Sequence, residues 1–182
     1  MQQIYTQAPA LQFTPVMQDA LSFLQSILPQ GAYTYCTSSI GATTGWRDQA
    51  HFSLESMVQA CMLTSNSGCD AYFALSAFAQ GWHTVTKADG KTINVFRTQS
   101  NAVAQRCLWL DIDCGKQDSP YPNAVSAVQA LTKFLAFTKL PLPHVVASGH
   151  GVHIYWPFVE TVATSQWRQM AGILKALCIH FG

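Results

Sequence analysis

Charge is what this sequence has least of. Only 10% of its 182 residues are Asp, Glu, Lys or Arg, against about a quarter in ordinary globular domains. The net charge of +1 gives no strong electrostatic footprint for nucleic acid, so any such contact has to be local. The six cysteines (Cys36, Cys61, Cys69, Cys107, Cys114 and Cys178) contain no C-x-x-C pair and no disulfide framework. They read as reduced, mostly buried thiols of a cytoplasmic protein. The opening MQQIYTQAPALQF lacks a basic segment followed by an apolar run, so no secretory leader is expected. No apolar run is long enough to span a bilayer, so no membrane partner is expected. Internal repeats, linkers and low-complexity tracts are also missing.

What remains is a chain that is 49% hydrophobic, long enough for one domain with a real core. Residues 1–13 read as a loose arm. Thr14-Pro15 has the cap and first-turn proline of a helix start. Val16, Ala20, Leu21, Phe23, Leu24 and Leu28 follow at helical spacing, and Pro29 stops the helix. Residues 32–38 and 71–78 read as strands, and Ser53 caps a helix to about Leu63. Residues 84–96 hold a possible hairpin with ADG at its tip. A short helix is expected over Asn101–Gln105, then a strand over Arg106–Asp113. PYPNAV opens a helix to about Thr138, and LPLP ends it. Strands at His144–Ala147 and Val152–Phe158 flank the turn SGHG. Thr164 or Ser165 opens a last helix, with Trp167, Met170, Ile173, Leu174, Leu177 and Cys178 toward the core. Strands and helices mix without a regular βαβ repeat. The expected fold is α/β of the α+β kind, a largely antiparallel sheet with flanking helices.

In so uncharged a chain, two acids at the end of an apolar strand stand out. LWLDIDCGK places Asp111 and Asp113 two apart, on one face of that strand, with Ile112 on the other. Two carboxylates this close repel unless a cation lies between them. Hard divalent ions such as Mg²⁺ or Mn²⁺ suit oxygen ligands and leave positions open for phosphate. Gly115 allows a sharp turn, and Lys116 can reach a phosphate as a point charge. The plainer alternative is a solvated strand end, where acids are common. A second constellation is VVASGHGVHIYWPF. The small residues of its turn let backbone amides approach an anion. His153 starts the returning strand, where it can stand beside the acids and bond a triphosphate or move a proton. A packed hairpin histidine is the alternative there. Tyr155 and Trp156 read as packing residues, and His150 as solvated at the turn tip.

Asp-x-Asp on one strand, a helix, then a Ser-Gly turn leading into a histidine strand resembles the archaeo-eukaryotic primase superfamily. The likeness is to its phage- and plasmid-borne primase-polymerase branch. LWLDID matches the first motif, and Gly151-Val152-His153 matches the small-x-His second motif. AYFALSAF, LPLPHVVASG and the helix bearing Trp167 fit as flanks. The resemblance covers roughly residues 70–182, while residues 1–69 are assigned by position to an N-terminal subregion of one catalytic domain, 1–182.

The resemblance implies a split palm with an RNA-recognition-like sheet and template-directed nucleotidyl transfer in phage or plasmid DNA replication. It implies Asp111 and Asp113 as catalytic ligands of a divalent cation, Mg²⁺ or Mn²⁺. His153 and Ser148 would contact the incoming nucleoside triphosphate, with Lys116 a weaker phosphate contact. A single-stranded DNA template and a downstream helicase or helix-bundle segment are the implied partners. The family's third motif, an acid completing the metal site, falls beyond Gly182, so a core cut short before it is expected. Asp118 and Glu160 are the nearest other acids. Two alternatives remain open. One is a non-catalytic nucleotide- or template-binding module. The other is a replication-initiator nickase, which wants His-hydrophobic-His where this chain has His150-Gly-Val-His153.

Overall fold

The computed structural model describes residues 13–41 and 45–181. Of the expected N-terminal arm, all but Phe13 lies outside them. Among these residues, four helices and nine strands make a mixed α+β fold with largely antiparallel, curled sheet.

The helix signals act as the sequence predicts. Thr14 caps α1 (Pro15–Ile27) by accepting from the Met17 amide, and Ser53 caps α2 (Leu54–Asn66) through the Ser56 amide. Asn123 and Ser126 exchange bonds in a capping box at the start of α3 (Ala124–Thr138). The last helix, α4, runs Thr164–Phe181. Along it Leu174 is buried and Trp167, Met170, Leu177 and Cys178 are half-buried. Ile173, expected in the core, is 64% exposed, because α4 lays only a narrow stripe on the sheet.

β1 (Tyr35–Gly41) is flanked by β2 (Gly45–His51) and β3 (Asp70–Phe73). A second sheet has the order β4-β7-β9-β8, from β4 (Ser76–Phe78), β7 (Ala102–Asp113), β9 (Gly151–Ala163) and β8 (His144–Ala147). β5 (His83–Thr86) and β6 (Thr92–Val95) form the expected hairpin apart. The single strand expected over 71–78 is broken at Ala74–Leu75. Its first half pairs with β1 and its second half with β7. One chain segment therefore belongs to both sheets, which splay apart beyond it. The helix expected over Asn101–Gln105 is instead the start of β7. Asn101 is buried and clasps the Gln80 and Phe96 backbones, and Ala102–Gln105 pairs with β4.

Two cores lie on either side of the β7–β9 sheet. Leu21, Leu24 and Ile27 of α1 and Met57 and Val58 of α2 pack with Cys107 and Tyr155. Ala127, Leu131 and Phe134 of α3 and Leu174 of α4 pack with Val152, Ile154 and Trp156. All six cysteines are free. Only Cys36 and Cys107 are fully buried and the other four are half-buried, fewer buried thiols than expected.

Candidate active site

Alternation along β7 decides which side chains reach the site. Leu108, Leu110 and Ile112 turn to the α3/α4 core. Trp109, Asp111 and Asp113 therefore share the opposite face. Across the antiparallel ladder, Asp111 stands directly opposite His153 and Asp113 opposite Gly151. Side chains so paired lie close enough to interact. His153 Nε2 is 3.4 Å from Asp111 Oδ1, and its Nδ1 is 3.3 Å from the Tyr155 hydroxyl. Burial, and to a lesser degree Cys107 and Asp111, push the Tyr155 hydroxyl up to about 12. It stays protonated and can donate to Nδ1, which leaves the other ring nitrogen facing Asp111.

The turn before β9 is fixed by close approach. A Cβ on Gly151 would stand 2.0 Å from the Ile112 carbonyl oxygen, so no other residue fits without moving β9 off β7. Gly149 takes φ +87°, the left-handed conformation glycine adopts without penalty. The Ser148 amide donates to the Gly151 carbonyl at 3.1 Å, and the Cys114 amide to the His150 carbonyl at 2.8 Å. These bonds hold Ser148 and His150 at the mouth of a cleft of about 640 Å³. Asp111, Ser148, His150 and His153 line it together, with Trp109 and Tyr155 beside them and Asp70 and Tyr72 across from β3. The cleft is lined from both sheets, by β3 of one and by β7 and β9 of the other.

Asp113 faces a neighbouring cleft of about 420 Å³, which also contains Asp111, Lys116, Asp118 and Tyr121. Lys116 Nζ lies 2.7 Å from Asp113 Oδ1, in the turn that Gly115 makes at φ +71°. The two aspartates thus share a face, Asp111 lining both clefts and Asp113 the second alone, and each has its own partner. Of the other acids, Asp118 lies in the second cleft and Glu160 lines neither. Among the described residues, no three His, Cys, Asp or Glu side chains gather as a set able to hold a metal ion. Arg106, within β7 itself, is pinned away from the site: it donates to the Gln25 carbonyl at 2.7 Å and the Phe158 carbonyl at 3.4 Å.

Asp70, Tyr72 and Trp109 were not legible as site residues. No local spacing ties Asp70 to Asp111, and only the partner switch in 70–78 brings them to one cleft. Tyr155 is a packing residue, 5% exposed, as the sequence reading has it, and it also positions His153. No protein-family model matches this chain, and no curated protein and no solved structure matches it either.

Proposed function

We propose that the chain is the catalytic core of a primase-polymerase, joining nucleotides on a single-stranded DNA template. The observation that carries this reading is the Asp111–His153 pair, set directly opposite on β7 and β9 in the cleft that also takes Ser148. The motif resemblance supplies the reaction class.

Asp111 and Asp113 present exposed, acceptor-only oxygens on one face, and both line the second cleft. That donor set fits Mg²⁺ or Mn²⁺, which is held by one or two carboxylates and keeps places for water and substrate phosphates. Bound there, the ion would stabilise charge on the transferred phosphoryl group and on the attacking 3′-hydroxyl. The remaining work falls to the protein. The His153 Nε2–H, oriented by Tyr155, faces Asp111 and is shared with a triphosphate oxygen that enters beside that carboxylate. The Ser148 hydroxyl and the amides of the glycine turn hold the same group in place. Lys116 lies at the edge of the second cleft, where it balances Asp113 and can meet phosphate. In-line transfer depends chiefly on such positioning.

The test is template-directed primer extension with Mg²⁺ or Mn²⁺. Asp111→Asn is expected to lower extension by about 10²-fold or more, with an unchanged urea midpoint because this carboxylate is largely exposed. Unchanged activity in that variant would overturn the reading. One observation favours a second reading, a nucleotide- or template-binding module without turnover: no third acid joins Asp111 and Asp113 to complete a metal set among the described residues. Nucleoside triphosphate binding with no extension, under either ion, would decide for that module.

A further inference from the structure

The outer face of the β2-β1-β3 sheet carries two large aromatics that no helix among the described residues covers. By register, Trp46 and Asp70 flank Ile40, and Asp48 and Tyr72 flank Ser38, all on one face. The Trp46 and Tyr72 rings pack against each other at 5.0 Å between centroids, yet they are 59% and 44% exposed. Leaving such rings in water forfeits the stabilisation their burial would give, and exposed apolar patches of this kind mark interaction sites.

The surroundings say what covers them. Trp46 lies in a cleft with Arg97 and Thr98. Those two also line the next cleft, of about 390 Å³, with Arg168, Gln105 and Trp109. Trp109 in turn lines the Asp111–His153 cleft, as does Tyr72. Aromatic and arginine side chains thus run without a break into the candidate active site. Arg168 makes no ion pair among the described residues, whereas Arg97 is held 3.3 Å from Asp48. Gln105 adds an independent sign. It is 2% exposed, its amide nitrogen donates to Ser76, and its buried Oε1 has no partner. An acceptor stranded in this way costs stability unless a donor reaches it.

We propose that Trp46 and Tyr72, with the Arg168–Gln105 cleft beside them, form a stacking track for single-stranded DNA that leads into the Asp111–His153 cleft. The proposal deepens the nucleotidyl-transfer reading, and it rests on that reading for taking the strand as template. Stacking binds any base through its face, and arginine meets the phosphates. With so few free cations, stacking rather than phosphate neutralisation supplies most of the affinity, so binding should depend only weakly on salt.

The experiment is fluorescence anisotropy of a labelled oligodeoxythymidylate with the full chain, over a range of salt concentrations, and with duplex DNA for comparison. Trp46→Ala/Tyr72→Ala is expected to weaken binding about five-fold or more while leaving the salt slope and the urea midpoint unchanged. Arg168→Gln should reduce the slope of log K against log salt by about 0.7. Wild-type affinity in the double aromatic variant, no binding at low salt, or preference for the duplex would overturn the track. Extension assays separate the two readings. Strand binding through these residues with no nucleotide ever joined sinks the catalytic reading and leaves the track. Extension and binding that ignore both aromatics sink the track and leave the catalysis.

Discussion

At the scale of single residues, the site rests on one missing side chain and one hydroxyl. The absent Cβ of Gly151 lets β9 lie against the Ile112 carbonyl. Gly151→Ala should therefore force the ladder apart beside Asp113 and His153. A loss of about 2–4 kcal/mol in urea unfolding is expected, with nucleotide binding lost in whatever remains folded. Wild-type stability would show that the ladder relaxes without cost. The hydroxyl belongs to Tyr155. Tyr155→Phe keeps the ring in the core but frees the His153 Nδ1, so a roughly tenfold fall in kcat with little change in KM is expected, and a stability change within about 1 kcal/mol. A change in KM alone would mean that His153 is not positioned by this bond. At this scale the sequence was informative. Asp111, His153 and Ser148 share a cleft because strand alternation and a short hairpin leave few other arrangements. Trp109 carried the same period-2 signal, but a tryptophan in an apolar strand looks like core.

At the scale of elements, capping and turn chemistry predicted all four long helices, while strand pairing was harder to see. β2, GWRDQAH, is too polar to read as a strand, and it exists because every residue from Gly45 to His51 pairs with β1. The helix expected at Asn101–Gln105 failed because Asn101 spends its side-chain amide on a loop clasp, and the residues after it find a partner in β4, distant in sequence. Long-range pairing overrode a local preference. The helix signals can be tested in turn. Asn123→Ala removes one half of the α3 capping box and should cost about 1 kcal/mol. Since α3 supports the core on the side of the sheet away from Asp111, oligonucleotide and nucleotide affinities should not move. A coupled loss of affinity would show that α3 sets the cleft's shape.

At the scale of the whole molecule, buried titratable groups shape the stability curve on both sides of neutrality. Burial raises the Cys36 thiol to about 11 and the Cys107 thiol and Tyr155 hydroxyl to about 12. These groups stay neutral in the fold while the unfolded chain ionises from about 9 upward. Their contribution is complete below that pH and is lost as pH climbs toward 12. Burial lowers the pKa of His51, whose unfolded value is 6.5, so its contribution is present above that pH and fades as pH falls. Urea midpoints should therefore be flat near neutrality and decline on both sides. Cys107→Ala should flatten the alkaline arm, and an unaltered arm would place the cause elsewhere. The α+β class was legible from the mixed order of elements, but the curl of the sheet was not, because it depends on one strand changing partners midway. That shared strand has a consequence for dissecting the protein. A cut after Cys69 gives one fragment whose β1 has lost a neighbour and another whose β3 has nothing to pair with. The two pieces expose complementary open edges, so coexpressed halves should reassemble as a split protein does, and neither should behave as a free-standing module.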